Sequence, residues 1–293
     1  TDPAAELVTG KVLGASADLS RQLIATNAAL TPEAVENDNA AVNIYVHNGS
    51  DDSFQYVATS HAVLNGGGTY TDGPQGQFLF QAQFAGASAD GTHFAFSTRS
   101  GALGTSPDGA SGIGEGPPKL YDFDTTTGQL SYVGVLPGGA PSPGSLAAGV
   151  QTNNSGEVAY RPVSENGSRI YWTPSSKGAI YLHEGDQSRL VSERQSDNSA
   201  QSADFWGASA NGTFAFIGSS ATLTSNASPA GSDLYQYNAE TSALTDLTPD
   251  STDSSGANLQ QVLGVSEDGT FVYFLATGNL ASGAVRGLDA QAW

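Results

Sequence analysis

The side chains in this sequence that could do chemistry are four histidines, many carboxylates and a serine that recurs near them. The histidines are His47, His61, His93 and His183, and they lie far apart in the chain. A metal site needs its ligands at a spacing that one or two structural elements can bring together, and these positions show no such spacing. The chain has no cysteine, so it has no disulfide framework and no thiol nucleophile. We therefore expect no metal ligand and no cofactor-binding residue.

A ring of acids is the next candidate, because Asp18, Asp90 and Asp268 recur in one local sequence that also contains Asn166 and Asn211. Four of these five residues stand directly before a glycine. Asp or Asn before Gly is the composition of a tight turn, since the short side chain bonds to the backbone and glycine accepts a positive φ. We expect these residues to shape turns rather than to bind ligands.

Further acids lie among oxygen-rich neighbours in predicted loops, namely Asp38, Asp51, Asp52, Asp250 and Asp253. Ca²⁺ binds such oxygen atoms, but no segment has the spacing of an EF-hand loop. Calcium binding is therefore an open alternative, and a solvated acidic surface is the favoured interpretation.

Nucleophilic catalysis would need a serine paired with His and Asp through the fold. The segment around Ser209 is similar to a nucleophile elbow, but it does not match Gly-x-Ser-x-Gly and no strand-to-helix pattern surrounds it. The same serine returns at positions 16, 88, 164 and 266, which indicates a structural role. We assign no catalytic residue. A carboxylate pair for glycoside hydrolysis stays open, because tertiary structure sets the distance between two carboxylates.

These serines and acids belong to a phrase that the chain repeats at residues 14–24, 86–96, 162–172, 207–217 and 264–274. The second copy reads Gly-Ala-Ser-Ala-Asp-Gly-Thr-His-Phe-Ala-Phe. An Asp-Gly or Asn-Gly pair between apolar runs predicts a β-hairpin. In the first copy Leu19 replaces the turn glycine, so we expect that turn to have a different shape.

A second phrase with a central tyrosine follows the first four copies, at residues 43–47, 119–124, 179–183 and 233–238. A polar turn and a last short strand come next, at residues 54–57, 130–133, 189–191 and 244–248. Each unit is therefore four short strands joined by hairpins. Such a unit is one blade of a β-propeller.

The full pattern is Ser-x-Asp-Gly, an apolar strand, Leu-Tyr-x-Tyr/Phe, Thr-Gly and Leu-x-x-Leu-Thr. It resembles the TolB-like, WD-like (PD-type) repeat of bacterial β-propellers over nearly the whole chain, best at 207–249 and least at 162–193. The sialidase repeat separates its Asp and Gly by one residue, whereas they are adjacent here. The resemblance implies a propeller fold, and propellers of this family commonly serve as interaction platforms.

We predict one all-β domain over residues 1–293, a β-propeller of four-stranded antiparallel blades. The repeats predict five blades, at about residues 11–59, 78–136, 157–193, 203–249 and 259–293, or six if the long loops contain a degenerate blade. The segments 60–77 and 137–156 are predicted loops. The last blade lacks its outer half, while residues 4–10 resemble an orphan outer strand. We therefore expect the N- and C-terminal strands to close the ring, which would cover edges that otherwise pair with other chains.

The third strand of that last blade is the weak point of this closure, because residues 288–293 match the tyrosine phrase poorly. A strand donated by a neighbouring chain would also complete the blade. Strand exchange within a larger surface assembly is therefore the alternative to closure by the chain itself.

Composition limits the partners and the location. The chain has 29 acidic and 10 basic residues, for a net charge of −19, which disfavours nucleic acids and anionic membrane surfaces. No apolar run approaches the ~18 residues that span a bilayer. Few lysines, no cysteine and many small polar residues indicate an exported bacterial protein, located outside the cell, on its surface or in the periplasm.

The sequence favours a non-enzymatic binding or scaffold module that presents loops to a protein or glycan partner. The alternative is an extracellular hydrolase of glycans or peptides, with its site at one mouth of the propeller channel. Perturbed carboxylates or a bound metal at that mouth would favour the hydrolase.

Overall fold

The computed structural model describes residues 10–34, 41–61, 82–99, 117–149, 161–174, 178–249 and 256–281. Over these ranges the chain forms strands, turns and bends and no helix, so none of the described segments is a helix able to cross a membrane. The chain divides into two compact units, residues 1–134 with 141–145 and residues 135–140 with 146–293.

The first unit contains two four-stranded antiparallel sheets, each built from consecutive strands. Blade one consists of β1 (Gly10–Ala15), β2 (Arg21–Thr26), β3 (Ala41–Asn48) and β4 (Ser53–His61). Blade two consists of β5 (Gln83–Ala87), β6 (His93–Arg99), β7 (Pro118–Asp124) and β8 (Gln129–Tyr132).

The second unit contains two more four-stranded sheets and two hairpins. Blade three consists of β9 (Leu146–Ala147), β10 (Arg169–Thr173), β11 (Tyr181–Glu184) and β12 (Gln187–Leu190), and a small hairpin of β13 (Glu193–Arg194) and β14 (Ser199–Ala200) follows it. Blade four consists of β15 (Asp204–Ala208), β16 (Phe214–Ser219), β17 (Asp233–Asn238) and β18 (Ala243–Asp246). Blade five contributes β19 (Leu259–Val265) and β20 (Val272–Ala276) to the described residues.

The predicted all-β class and its repeated four-stranded antiparallel blade are confirmed. The number of blades, the closure of the ring, the single domain and the donated strand stay predictions. Closure concerns residues 4–10 and 288–293, and residues 1–9 and 282–293 lie outside the described part of the chain.

Blade three differs from the sequence prediction in its inner strand. Residues 137–156 were expected to be a loop, yet β9 lies within them and pairs with Trp172 and Thr173. Val163, in the expected inner strand, makes a single bridge to Ile170. Pro162 precedes it and accepts a hydrogen bond from the Tyr171 N–H at 2.8 Å, but proline has no N–H to return. The Tyr171 carbonyl accepts the N–H of Ala148, directly after β9, at 2.9 Å instead.

The repeated phrase forms one kind of turn in all five copies. In the second copy the Ser88 hydroxyl accepts the His93 N–H at 2.9 Å and donates to Asp90 Oδ1 at 2.8 Å. The same Oδ1 accepts the Thr92 N–H at 3.0 Å. The other four copies repeat these three hydrogen bonds.

The expectation that Leu19 changes the shape of the first turn is wrong. Leu19 has a φ of 61°, against 66° to 72° for the glycines in the other four copies, and its N–H donates to the Ser16 carbonyl at 3.0 Å. A residue with a β-carbon pays about 1–2 kcal/mol in this left-handed region. The Ser16 and Asp18 hydrogen bonds hold the backbone there nonetheless, and the leucine side chain is 68% exposed.

Inner hairpins shift register at the glycine that opens the phrase. The shifts fall between Val12 and Gly14, Phe84 and Gly86, Phe205 and Gly207, and Val262 and Gly264. A β-bulge of this kind bends the strand and increases its twist. At Gly14 a β-carbon would lie 2.3 Å from the Phe84 ring of the next blade, so glycine there also makes room for the neighbouring sheet.

Long polar side chains tie neighbouring blades together. Arg21 Nη1 donates to the Gly91 carbonyl at 3.0 Å and to Thr125 Oγ1 at 2.8 Å, which joins blade one to blade two. Arg169 Nη1 donates in the same way to Thr213 Oγ1 at 2.7 Å, which joins blade three to blade four. Apolar packing accompanies these ties in the second unit, where buried residues of blades three and four form one cluster.

Candidate functional site

Each histidine side chain that the structure describes has a local partner. His47 Nε2 lies 2.8 Å from Asp52 Oδ1 of its own hairpin, and buried His183 has its Nδ1 3.4 Å from the Ser188 hydroxyl. His61 ends β4, and its side chain lies outside what the structure describes. Across the described residues no three His, Asp or Glu side chains come close enough to hold a metal ion.

One histidine pairs with an acid that the sequence did not single out. His93 Nδ1 lies 2.8 Å from Asp122 Oδ2, across the β6–β7 ladder. This hydrogen bond raises the pKa of His93, partial burial opposes it, and the charges of Asp122, Asp124 and Asp90 add to the increase. The detectable signal was strand register, since Ala95 faces Asp122 and His93 is two residues away on the same side of β6.

The acidic side chains of the repeats accept hydrogen bonds within their own β-turns. Hydrogen bonds from flanking hydroxyl and N–H groups lower the pKa values of Asp18, Asp90 and Asp268 to about 2. Asn166 and Asn211 make the corresponding bonds without a charge. The turn therefore uses the side-chain oxygen rather than the negative charge.

The remaining candidates are also held locally or lie outside the described residues. Ser209 Oγ donates to Asn211 and accepts the Phe214 N–H, so its hydroxyl is part of a turn. Asp51 Oδ1 accepts the N–H and the hydroxyl of Ser53. The loop acids at positions 38, 250 and 253 lie outside the described part of the chain, so a solvated acidic surface stays the prediction there and calcium binding its alternative.

A buried carboxylate pair in blade four is the arrangement that sequence reasoning missed. Asp233 begins β17 and Asp246 ends β18, and the two residues are only 2% and 6% exposed. Thr248 Oγ1 lies between them, 3.5 Å from Asp233 Oδ1 and 3.3 Å from Asp246 Oδ1. The Thr248 N–H donates to Asp246 Oδ1 at 2.8 Å, and the Ser228 N–H donates to Asp233 Oδ2 at 3.0 Å.

Burial dominates the electrostatics of this pair. Burial, followed by the charge of Asp246, raises the pKa of Asp233 to about 6, and burial also raises the pKa of Asp246. A comparison of the repeats with one another would have marked these two acids as unusual, although not as a pair. The equivalent strand positions in the first three blades carry no acid: they hold Asn43, Lys119 and Ala179 in place of Asp233, and Tyr56, Tyr132 and Leu190 in place of Asp246.

No protein-family model and no curated protein matches the sequence. Solved structures do show similarity. TolB from Acinetobacter baumannii aligns over 90% of this chain at 12% identity, with a TM-score of 0.37. The acylaminoacyl peptidase of Pyrococcus horikoshii aligns over 95% at 11% identity and a TM-score of 0.39. The β-propeller domain of the Trilobed protease from Pyrococcus furiosus aligns over 92% at 11% identity and a TM-score of 0.37.

This chain spans 48% of the TolB chain, 38% of the peptidase chain and 66% of the Trilobed protease domain. Identities and scores at this level carry no argument about activity, ligand or blade number.

The pair of Asp233 and Asp246 can act in two ways. Two carboxylates that share a buried space cannot both stay ionised without compensation. They can therefore hold one proton between them, as an acid beside a base, or they can hold one cation. The other candidate groups whose side chains the structure describes already have partners within turns and strands.

Proposed function

We propose that this protein is an exported, non-enzymatic binding or scaffold module of the TolB-like propeller type, which presents its loops to a protein or glycan partner outside the cell. The observation that carries this proposal is the use of its polar side chains. Asp18, Asp90, Asp268 and Ser209 complete turns, and Arg169 ties two blades together. Side chains that build the scaffold are poor candidates for moving protons or attacking a substrate.

Charge limits the partner. The net charge is −19, and the lowered pKa values of Asp18, Asp90 and Asp268 keep these exposed turns charged at neutral pH. Two of the ten basic residues, Arg21 and Arg169, also use their guanidinium groups to bond to neighbouring blades. Long-range attraction therefore favours a basic protein surface or an uncharged glycan over nucleic acid or an anionic membrane surface.

The competing proposal is an extracellular hydrolase that uses Asp233 and Asp246. A carboxyl group with a pKa of about 6 suits general acid–base catalysis near neutral pH. Exposure argues against it, since the two residues are 2% and 6% exposed. A glycan or peptide could reach these carboxylates only after the end of blade four had opened.

A paired assay separates the two proposals. The full chain is applied to a glycan array and to immobilised basic and acidic peptides, and in parallel it is incubated with chromogenic glycosides and peptide esters. We expect salt-sensitive binding without turnover. Turnover that disappears in Asp246→Asn and persists in Asp268→Asn would establish the hydrolase and overturn the binding module. Absence of both binding and turnover would also count against the binding proposal.

A further inference from the structure

The carboxylate oxygens of the two buried acids in blade four outnumber the hydrogen-bond donors that reach them. The Ser228 N–H serves Asp233 Oδ2 and the Thr248 N–H serves Asp246 Oδ1. The Thr248 hydroxyl has a single proton, although it lies within 3.5 Å of both carboxylates. Tyr235 offers one more proton, but its oxygen lies nearer to the Ala221 carbonyl, at 3.1 Å, than to Asp233 Oδ2, at 3.4 Å.

One carboxylate oxygen is left with no donor. Asp246 Oδ2 is fully buried and accepts no hydrogen bond from the described residues, in a side chain that is 94% buried because the residue is 6% exposed. Its Oδ1 faces the same Thr248 hydroxyl that reaches Asp233, so one hydroxyl group lies between the two carboxylates. An ionised carboxylate accepts hydrogen bonds and donates none. A bound water, an added proton or a cation could satisfy this oxygen, and of these only a divalent cation would also neutralise both buried charges.

We propose that Asp233 and Asp246 form a binding site for a divalent, oxygen-preferring cation, with Ca²⁺ as the first candidate, at the end of blade four between β17 and β18. Two carboxylates give a charge that a divalent cation neutralises. The surrounding ligands are oxygen atoms without imidazole or thiolate, which disfavours Zn²⁺. The irregular arrangement of hydroxyl and carboxylate oxygens suits Ca²⁺, which takes six to eight oxygens in flexible geometry, better than Mg²⁺.

The site should bind weakly. The described residues bring no third acidic side chain to it, so hydroxyl groups, backbone carbonyls and water must complete the coordination. Calcium sites of extracellular modules with few charged ligands have dissociation constants of roughly 10⁻⁴–10⁻³ M. Below about pH 6, where Asp233 holds a proton, binding would release that proton to solvent as the Asp233 O–H bond breaks and its oxygen coordinates the cation. The Tyr235 hydroxyl is the other titratable group of the described residues that faces the pair.

The test is calorimetric. The full chain, treated with a chelator and dialysed, is heated in the presence of Ca²⁺, Mg²⁺ or Na⁺ at neutral pH, with ionic strength held constant. At about 10 mM Ca²⁺ we expect the melting temperature to rise by about 5 °C, with a smaller rise for Mg²⁺ and none for Na⁺. Lowering the pH below about 6 should weaken the calcium effect, because protons compete for Asp233.

Three variants complete the experiment. Asp233→Asn and Asp246→Asn keep the shape of the side chain and should each abolish the calcium shift. Asp268→Asn removes an equal charge from an exposed turn, at a position where Asn211 stands in blade four, and should retain the shift. A shift that survives in Asp246→Asn would show diffuse surface binding and overturn the site. If Ca²⁺ does not change the melting temperature of the wild type, while its stability changes with pH near 6, the two acids share a proton and bind no cation.

Discussion

At the scale of single residues, hydrogen bonding by Ser and Asp specifies the repeated turn more strongly than glycine does. Leu19 occupies the glycine position with a φ of 61°. Ser16 and Asp18 make the same bonds that Ser88 and Asp90 make around Gly91. The backbone therefore accepts a strained residue rather than give up these bonds. Turn sequences of this type tolerate an imperfect glycine position at a cost in stability.

That cost leads to the first prediction. Leu19→Gly should stabilise the protein by about 0.5–1 kcal/mol, because relief of left-handed strain exceeds the entropy that glycine adds to the unfolded chain. Little packing is lost, since the Leu19 side chain is 68% exposed. Urea denaturation measures the change. Leu19→Ala, which keeps the β-carbon, is the control and should give no gain. Equal effects of the two substitutions would show that the side chain, and not the backbone, matters there.

The second prediction concerns the pKa of His93. Its hydrogen bond to Asp122 raises that pKa above 6.5, so Asp122→Asn should lower it, as measured by NMR titration of the imidazole. A raised pKa in the folded state means that the pair stabilises the protein fully below the unfolded value of about 6.5 and loses this effect as the pH rises through the folded value. The variant should therefore show a flatter dependence of stability on pH above about 6.5. An unchanged His93 pKa in Asp122→Asn would contradict the assignment.

At the scale of elements, two pairs of neighbouring blades are joined by an arginine at the same position of the repeat. Arg21 and Arg169 each follow a turn by the same number of residues and reach the turn of the next blade. Arg169 also bonds to Glu184 within its own blade, Nε to Oε1 at 2.8 Å. The planar guanidinium can make these bonds at once, because its donors point in fixed directions.

The third prediction follows from that geometry. Arg169→Lys keeps the charge but loses the forked contacts to Glu184 and Thr213, and we expect a destabilisation of about 1–2 kcal/mol. Arg161→Lys is the matched control, because Arg161 is exposed and lies 3.7 Å from Glu267; exposed pairs contribute about 0–1 kcal/mol. Denaturant titrations of both variants measure the difference. Similar losses of unfolding free energy in the two variants would show that the Arg169 contacts between blades do not stabilise the protein.

The fourth prediction concerns acid stability, which the repeated turns should control together. The pKa values of Asp18, Asp90 and Asp268 are lowered to about 2. A lowered pKa in the folded state gives stability that is present above the unfolded value of about 4 and is lost as the pH falls toward the folded value. Replacing all three by Asn, the residue of the other two turns, should flatten the fall in stability between about pH 4 and pH 2. If the stability of the triple variant falls with pH as steeply as that of the wild type, other carboxylates cause the acid sensitivity.

At the scale of the whole molecule, the open question is how many cooperative units the chain forms. The sequence predicts one closed domain, and the described residues divide into two compact units. If the chain is one domain, calorimetry should show one transition. Gly91→Ala in the first unit and Gly212→Ala in the second, both at a positive φ, should then each lower the temperature of that single transition. Two transitions, each moved by only one substitution, would show independent units.

Light scattering addresses the last blade at the same scale. A chain that completes its own ring should be a monomer at all concentrations. Concentration-dependent association would instead support strand exchange between chains.

Local interactions specified most of what the sequence predicted correctly. The turn bonds join residues no more than five positions apart, as from Ser88 to His93, and strand alternation is equally local. Turns, strands and the four-stranded blade could therefore be recognised from residue types alone. The sequence predicted the turn at Leu19 and the inner strand of blade three wrongly. At Leu19, the hydrogen bonds of the turn outweigh the strain of a positive φ. In blade three, Pro162 lacks the N–H that the expected inner strand would donate, and β9 pairs there instead.

Only the tertiary structure decided which polar groups meet. Asp233 and Asp246 stand at the ends of two strands, and β-pairing with a bridging Thr248 brings them into one buried space. His93 and Asp122 meet for the same reason, across the β6–β7 ladder. Neither pair has a motif, because strand register rather than spacing along the chain determines the distance between their side chains. Burial then changes their chemistry, since removal from water disfavours the charged carboxylate and raises the pKa of Asp233 to about 6.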